Sequence, residues 1–500
     1  MEQNIHWSYS IFSSTILLAD LIIRIGLSLR VVMRKRPTGV SIAWLIVILV
    51  LPFVGSFFYL LFGENRLPER RIARAQSSFK IYMAWLQTLR ERLPTFWEEN
   101  NPEYAPLHRQ AITLVGLPAT IGNSLQLIST PDAILESLLT AIDTAKQTCH
   151  LQFYIWQEGG RVDTIVEALY RARKRGVICR ILVDSIGSRI FLKSPIAEQM
   201  KKAGISIQES LPAGLFSVFS SRLDIRNHRK IVIIDGKIAY TGSQNMVDPS
   251  FFKKEAGVGE WIDTMVRVEG PLVETLEGTF LSDWYLETRE EFSTPDTLGR
   301  EIRMAHQRDE IQQNPSAGSS AVQLVPSGPG GETDAIHSLL LTTIYTARKE
   351  LVMTTPYFIP DEALLTALKA AAQRGVDVKI IVPSKNDSLL VEYASRARFE
   401  ELAQSGVNIY FFTDGLLHSK TITVDGQLAL FGSVNLDMRS FWLNFEATLI
   451  VYCRQFTEKL YLLQKEYLKN SNQLDICTFT KRKRIDKFKE NVALLVAPIL

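Results

Sequence analysis

Cysteine is scarce in this chain of 500 residues. The four present (Cys149, Cys179, Cys453 and Cys477) form no Cys-x-x-Cys pair and stand at no zinc-like spacing from histidine. A disulfide scaffold and a zinc module are therefore excluded, and the thiols read as buried structural groups in a reducing compartment. A surplus of charge of one sign is lacking too: 56 Lys and Arg face 53 Asp and Glu, a formal net charge of +3. That argues against a highly charged nucleic-acid-binding tail protein and leaves little material for the basic stripe of a nuclease. With 46% hydrophobic and 22% charged residues the chain is neither disordered nor collagenous. On length alone it divides into about three globular units.

Charge is missing altogether from one stretch, and a mean hydropathy of +0.04 already hints at such a region. Val40–Phe62, VSIAWLIVILVLPFVGSFFYLLF, runs 23 residues without a charged side chain. As one helix it would be about 35 Å long, enough for a hydrocarbon core of about 30 Å. A weaker apolar stretch, Ile11–Met33, carries Asp20, Arg24 and Arg30, with Asp20 and Arg24 one turn apart. It reads either as a second membrane helix or as an amphipathic helix lying in the interface. A cleaved signal peptide fits badly, because no short apolar core ends in a small-residue cleavage site. Basic clusters lie between the two stretches (Arg34, Lys35, Arg36) and after them (Arg66, Arg70, Arg71, Arg74). A plain transmembrane hairpin puts these on opposite faces, against the positive-inside preference. Pro52 and Gly55 offer a kink or re-entry that would put both inside. Either way the downstream part is expected in the cytoplasm.

The body of the chain repeats itself. DAILESLLTAIDTAK from Asp132 matches DAIHSLLLTTIYTAR from Asp334, and both lead into strand-like runs, Leu151–Trp156 and Leu351–Phe358. A helix ending in Arg-Gly-Val follows in each copy (Arg175–Val177; Arg374–Val376), then a β-branched run, Ile178–Asp184 or Asp377–Pro383. The glycine suits a helix C-cap and the run a buried parallel strand. The alternation predicts two α/β sandwiches, separated by a Ser-, Pro- and Gly-rich linker at Glu291–Gly331.

The chemistry lies further along the repeat. The first copy has His228, Lys230, Asp235, Gly242, Ser243 and Asn245; the second has His418, Lys420, Asp425, Gly432, Ser433 and Asn435. The spacing, H-x-K-x4-D-x6-G-S-x-N, is identical in both, which excludes coincidence. Alternate residues of a strand share a face, so each histidine projects beside its lysine. Two imidazoles, two ammonium groups and two asparagines suit a phosphodiester. Lysine orients the non-bridging oxygens, Ser243, Asn245, Ser433 and Asn435 are expected to bind the phosphate, one imidazole attacks phosphorus, and the other protonates the leaving alkoxide. No carboxylate cluster offers a magnesium site, so neither metal nor cofactor is expected. Asp235 and Asp425 complete the pattern, but each precedes a glycine at a turn and reads more readily as structural than as chemical.

These residues resemble those of the phospholipase D superfamily over about Asp132–Lys469. The resemblance implies a two-step reaction through a phosphohistidine. It also implies a carboxylate beyond G-S-x-N that hydrogen-bonds the catalytic histidine; Asp263 and Glu446 stand at the matching places, Asp263 after the longer gap. The N-terminal apolar segments, TTPYFIPDE and QLVPSGPGG together are similar to bacterial cardiolipin synthases. That implies transfer of a phosphatidyl group between two phosphatidylglycerols, giving cardiolipin and glycerol in a multi-pass protein of the bacterial membrane. By the same analogy His228 is the nucleophile and His418 the acid, then base. A membrane-bound phosphodiesterase using water or another alcohol is the alternative, and a binding protein with a dead site is disfavoured by two intact motifs.

The expected organisation is a membrane anchor of two hydrophobic helices (1–64), a connector (65–125), a first phospholipase D-like domain (126–290), a linker (291–331), a second such domain (332–475) and a basic, apolar tail (476–500). Partners are phosphatidylglycerol and anionic lipid, without nucleic acid. Tyr154 and Tyr357 read as core aromatics or as pocket lining. Leu215–Leu223 reads as a loop that either packs or dips into lipid, and Lys481–Lys489 as a solvated basic face or an anionic-lipid contact.

Overall fold

The computed structural model of the protein describes residues 2–34, 38–64, 66–91, 98, 101–212, 222, 224–288, 320–330 and 334–495. The expected loop at 215–223 and most of the expected linker lie outside them. The chain forms two compact units, one with the N-terminal helices to Ile72, the other with Ala73–Pro212 and Arg226–Leu500.

In the first unit α1 spans Glu2–Met33, α2 Thr38–Val50 and α3 Val54–Phe62. The apolar run does not make one helix. Pro52 brings no amide hydrogen to continue α2, and Phe53 takes left-handed backbone at φ 53°, so the run splits into helices of 13 and 9 residues. Among the described residues no helix is long and apolar enough to cross a membrane. The expected N-terminal helices are thus present, without a membrane-spanning one among those described. The 32-residue α1 has the length but carries Asp20, Arg24 and Arg30, and α2 and α3 are each too short.

The second unit is mixed α/β. Its first repeat supplies β1 (Thr120–Ile128), β2 (Thr148–Phe153), β3 (Ile178–Asp184), β4 (Ser206–Ser210), β5 (Arg226–Asn227), β6 (Ile231–Ile234), β7 (Ile238–Gly242), β8 (Trp261–Ile262) and β9 (Met265–Glu269). The second supplies β10 (Ser320–Ser327), β11 (Glu350–Thr354), β12 (Phe358–Ile359), β13 (Asp377–Pro383), β14 (Asn408–Phe412), β15 (Leu416–Leu417), β16 (Thr421–Val424), β17 (Leu428–Gly432), β18 (Leu436–Asp437), β19 (Asn444–Val451) and β20 (Ser471–Gln473). Sixteen of these strands join one sheet. At its middle β1 and β10 pair antiparallel, Thr120 opposite Val322. Outward from there the order is β9-β7-β6-β2-β3-β4 on one side and β19-β17-β16-β11-β13-β14-β20 on the other. The halves match strand for strand until β20.

Local chemistry explains the elements. Thr130 and Asp361 cap helices Pro131–Thr144 and Glu362–Gln373 by accepting from Ala133 N and Leu364 N. Gly176 and Gly375 stand just past the ends of helices Arg161–Lys174 and Glu362–Gln373 in left-handed backbone, φ 88° in both. The parallel strands β3 and β13 follow at once and are buried over most of their length. The junction has its own core, in which Ile231, Val266, Phe431 and Leu449 pack under helices Leu272–Glu287 and Arg454–Lys469. Of the strands that join the halves, β10 lies in the segment read as linker and β1 runs from the connector into the start of the first domain. A repeat read from its helices at Asp132 and Asp334 starts too late to include β1 and β10. Of the cysteines, Cys149 and Cys179 are buried as expected, whereas Cys453 is half-buried and Cys477 exposed.

Candidate active site

The two motifs meet at the junction of the half-sheets, and each histidine is delivered by a short strand that pairs with the opposite repeat. β5 runs parallel to the start of β19, Asn227 opposite Phe445, and His228 N then donates to Phe445 O at 2.8 Å. β15 runs parallel to β8, Leu417 opposite Ile262, and His418 N donates to Ile262 O at 2.8 Å. The next residue along each partner strand is the carboxylate. Glu446 therefore holds His228 Nδ1 at 2.9 Å, and Asp263 holds His418 Nδ1 at 2.6 Å. With Nδ1 bound to a carboxylate, each imidazole keeps its lone pair on Nε2.

The G-S-x-N residues secure those carboxylates. A Cβ on Gly242 would strike the Thr264 carbonyl, and one on Gly432 that of Ala447, so only glycine brings β7 and β17 this close to the carboxylate-bearing segments. Ser243 Oγ then donates to Asp263 at 2.5 Å and Ser433 Oγ to Glu446 at 2.5 Å. Expected as phosphate ligands, the serines are instead engaged with the carboxylates. Asn245 Oδ1 accepts from Ile155 N at 3.1 Å, which leaves its amide group to donate. Lys230 and Lys420 are buried, and each ammonium donates to the carbonyl of its own histidine, at 2.7 and 2.5 Å.

Burial dominates the electrostatics. It lowers both imidazoles to about 4, although Glu446 and Asp263 pull upward, with the lysines adding to the fall. Burial likewise lowers Lys420 to about 8 and Lys230 well below its ordinary value. Burial pushes the carboxylates up, but the histidines and lysines outweigh it, holding Asp263 at about 2 and Glu446 below its usual range. The resting site thus holds two neutral imidazoles, two carboxylates and two lysines whose charged form burial disfavours. An anion between the lysines favours that charged form.

Asp235 and Asp425 lie elsewhere, at the far ends of β6 and β16. Asp235 accepts from the amides of Lys146, Gln147 and Thr148 (2.8, 2.6 and 2.9 Å), and Asp425 from those of Arg348, Lys349 and Glu350 (2.9, 2.7 and 2.8 Å). Both stand at φ 52° before a glycine of positive φ, so each tight turn also caps the start of a neighbouring strand. Both carboxylates thus serve backbone amides at turns, and none of these contacts is with a motif histidine or lysine. Tyr154 packs its ring 5.0 Å from that of His228, whereas Tyr357 donates to Asp387 at 2.9 Å. In the tail, Arg482 binds Glu490 at 2.8 Å and Lys487 lies 3.1 Å from Glu400, so part of that basic cluster is neutralised within the protein.

Sequence reading missed Arg229. It sits between His228 and Lys230 in the link from β5 to β6, and donates to Asp283 (2.7 Å), Glu446 O (3.0 Å) and Ser327 O (3.1 Å). The signal was the contrast between H-R-K and H-S-K, a charge in one copy only. Trp261, 4.4 Å from the His418 ring, has no counterpart in the motif either. Among the described residues no group of three or more His, Cys, Asp or Glu converges in a way that suits a metal ion.

A duplicated sheet with crossed histidine–carboxylate pairs defines a phospholipase D-like protein. The family described as "Cardiolipin synthase, PLD-like domain" matches residues 138–284 and 340–463, and "Phospholipase_D-nuclease N-terminal" matches 22–64. The chain is 44% identical over 475 residues to "Cardiolipin synthase A" of Yersinia pseudotuberculosis serotype O:1b (strain IP 31758), covering 95% of this chain and 96% of that protein. The protein of the same name from Yersinia pestis matches equally. The crystal structure of phosphatidylserine synthase from Haemophilus influenzae Rd KW20 shares the fold, with a TM-score of 0.58 at 16% identity over 79% of this chain and 100% of that one. The chain belongs to the cardiolipin synthase family of the phospholipase D superfamily.

Proposed function

We propose that the protein transfers a phosphatidyl group from one phosphatidylglycerol to a second, giving cardiolipin and glycerol through a phosphohistidine. The observation that carries this reading is the pair of crossed histidine–carboxylate contacts beside two buried lysines, in a chain aligned almost end to end with cardiolipin synthase A. In the first step Nε2 of His228 attacks phosphorus, and the bond to the glycerol headgroup breaks as His418 gives its Nε2 proton to the leaving oxygen. Lys230, Lys420 and the amides of Asn245 and Asn435 hold the non-bridging oxygens. The negative phosphodiester raises His418 from its resting value, so the acid is charged when substrate is bound. In the second step neutral His418 takes the proton of a hydroxyl on the second phosphatidylglycerol. That oxygen attacks phosphorus, the P–N bond breaks, and His228 returns neutral. Glu446 and Asp263 stabilise whichever imidazole is cationic.

The substrates stay in the bilayer, so the enzyme works at the membrane, attached through its N-terminal helices with the catalytic unit in the cytoplasm. The basic residues around those helices support this placement. Purified protein in phosphatidylglycerol micelles with chelator tests the reading, with products resolved by mass. Cardiolipin and glycerol in equal amounts are expected; phosphatidic acid alone would make water the acceptor and overturn it.

A further inference from the structure

The three N-terminal helices are built inside out. Asp20 is 1% exposed between them, while Leu17, Ile22, Leu29, Ile46, Val50 and Phe57 face outward, Leu17 at 65%. Apolar side chains point away from all three helices, so a single protein partner would cover one side and leave the others. Hydrocarbon covers every side.

The path of the chain is a return. Gly55 lies so close to α2 that a Cβ there would strike the Val47 carbonyl, although in a continuous helix residues eight apart are about 12 Å distant. Tyr59 packs edge-on against Trp44 at 5.4 Å, fifteen positions back along the chain. At the far end Glu64, just after α3, accepts from Arg30 Nε (2.6 Å) and Nη2 (2.8 Å) and lies 3.6 Å from Arg34, at the end of α1 where α2 is about to begin. Both ends of the α2–α3 pair therefore lie at one level.

The turn at the other end is satisfied from within. Asp20 Oδ1 accepts from Phe53 N at 3.0 Å, and Arg24, ion-paired with Asp20, donates to Leu49 O at 3.0 Å. Two backbone groups at the break, Phe53 N and Leu49 O, thus find partners without water, as hydrocarbon demands. Asp20 stands about 20 Å along α1 from its end, and α2 is also about 20 Å long, short of the roughly 30 Å of a hydrocarbon core.

We propose that α2 and α3 form a re-entrant hairpin in the lipid bilayer, entering and leaving by one face, with the Asp20–Arg24 pair sealing its tip and arginines at its base on anionic headgroups. The proposal rests on the reading of the protein as membrane-associated and removes the conflict over its charges. Arg34, Arg66, Arg70 and Arg71 come to the same side, as the positive-inside preference asks.

The test is labelling of the full chain in spheroplasts and inverted vesicles with a membrane-impermeant maleimide, in a Cys453→Ser, Cys477→Ser background; Cys149 and Cys179 are buried. Single probes are Thr38→Cys and Glu69→Cys at the base and Phe53→Cys at the tip. Each must retain cardiolipin formation. A base probe that fails is replaced by Gly39→Cys, where a Cβ has open space, or by Arg70→Cys, an exposed neighbour. Both base probes are expected to react at least tenfold more from one and the same side, and the tip from neither until detergent is added. Labelling of the base probes from opposite sides, or of the tip from the water, overturns the hairpin. Recovery of the protein in the soluble fraction overturns the membrane reading itself.

Discussion

His228 and Glu446 belong to different repeats, 218 residues apart, yet the carboxylate lies 2.9 Å from the imidazole Nδ1. Asp263 reaches His418 in the same crossed way at 2.6 Å. Neither half therefore holds a complete histidine–carboxylate pair. The site exists only where the half-sheets join, and the crossing follows from two short parallel pairings that bring each carboxylate one residue past a backbone hydrogen bond to the histidine.

Neutralising these carboxylates should leave the fold and damage turnover. Glu446→Gln and Asp263→Asn keep size and hydrogen bonding but cannot stabilise an imidazolium, so each should lower cardiolipin formation by about 10²–10⁴-fold. Steady-state rates, taken beside an unchanged near-ultraviolet circular dichroism spectrum, check this. A loss below threefold would mean that the carboxylates only position the rings.

The two motif aspartates should behave in the opposite way. Asp235→Ala and Asp425→Ala each remove a carboxylate that serves three backbone amides at a left-handed residue, which should cost about 1–3 kcal/mol of stability. Asparagine tolerates that backbone and should restore part of the loss. Urea unfolding measures the first effect, and activity per folded molecule should stay within twofold.

The pH profile follows from burial. Both imidazoles sit at about 4 in the free protein and are neutral above it, so kcat/KM should show no acid limb near the ordinary histidine value of about 6.5. His418, the acid of the first step, lacks its proton in the free protein above about 4, so kcat/KM should decline as pH rises above that value. Lys420, at about 8, loses its charge above that pH, so the decline should steepen there. In Lys420→Arg, whose guanidinium stays charged, the surviving activity should show no such steepening.

Arg229 ties the halves together through three buried acceptors. Arg229→Met leaves Asp283 without its guanidinium and should destabilise the protein by about 3–5 kcal/mol. Lysine cannot reproduce the planar fork and should rescue little. Thermal unfolding of the two variants checks both statements.

What the sequence discloses is what repeats within it. The His-x-Lys pairs, the G-S-x-N turns and the alternation of helix and strand are local patterns, readable because period and spacing survive in a line of letters. Pairing between distant segments leaves no such trace. Asp263 and Glu446 stand as carboxylates beyond each motif, but which histidine each serves depends on β5 meeting β19 and β15 meeting β8, and β5, β8 and β15 are strands of two residues with no periodicity to read. The serines looked like phosphate ligands because their position after glycine was visible and the carboxylate beneath them was not. The apolar run at Val40–Phe62 was read by length, and the single proline that divides it proved decisive.

The central claim is that crossed pairs arm two histidines for separate tasks, with His228 as the nucleophile. It is tested most directly by quenching the protein during turnover of phosphatidylglycerol and digesting it at alkaline pH, where phosphohistidine survives. Mass spectrometry then locates the adduct. A phosphatidyl group on the peptide that contains His228, absent from His228→Ala, is the predicted result. An adduct on His418, or none while cardiolipin accumulates, would contradict it.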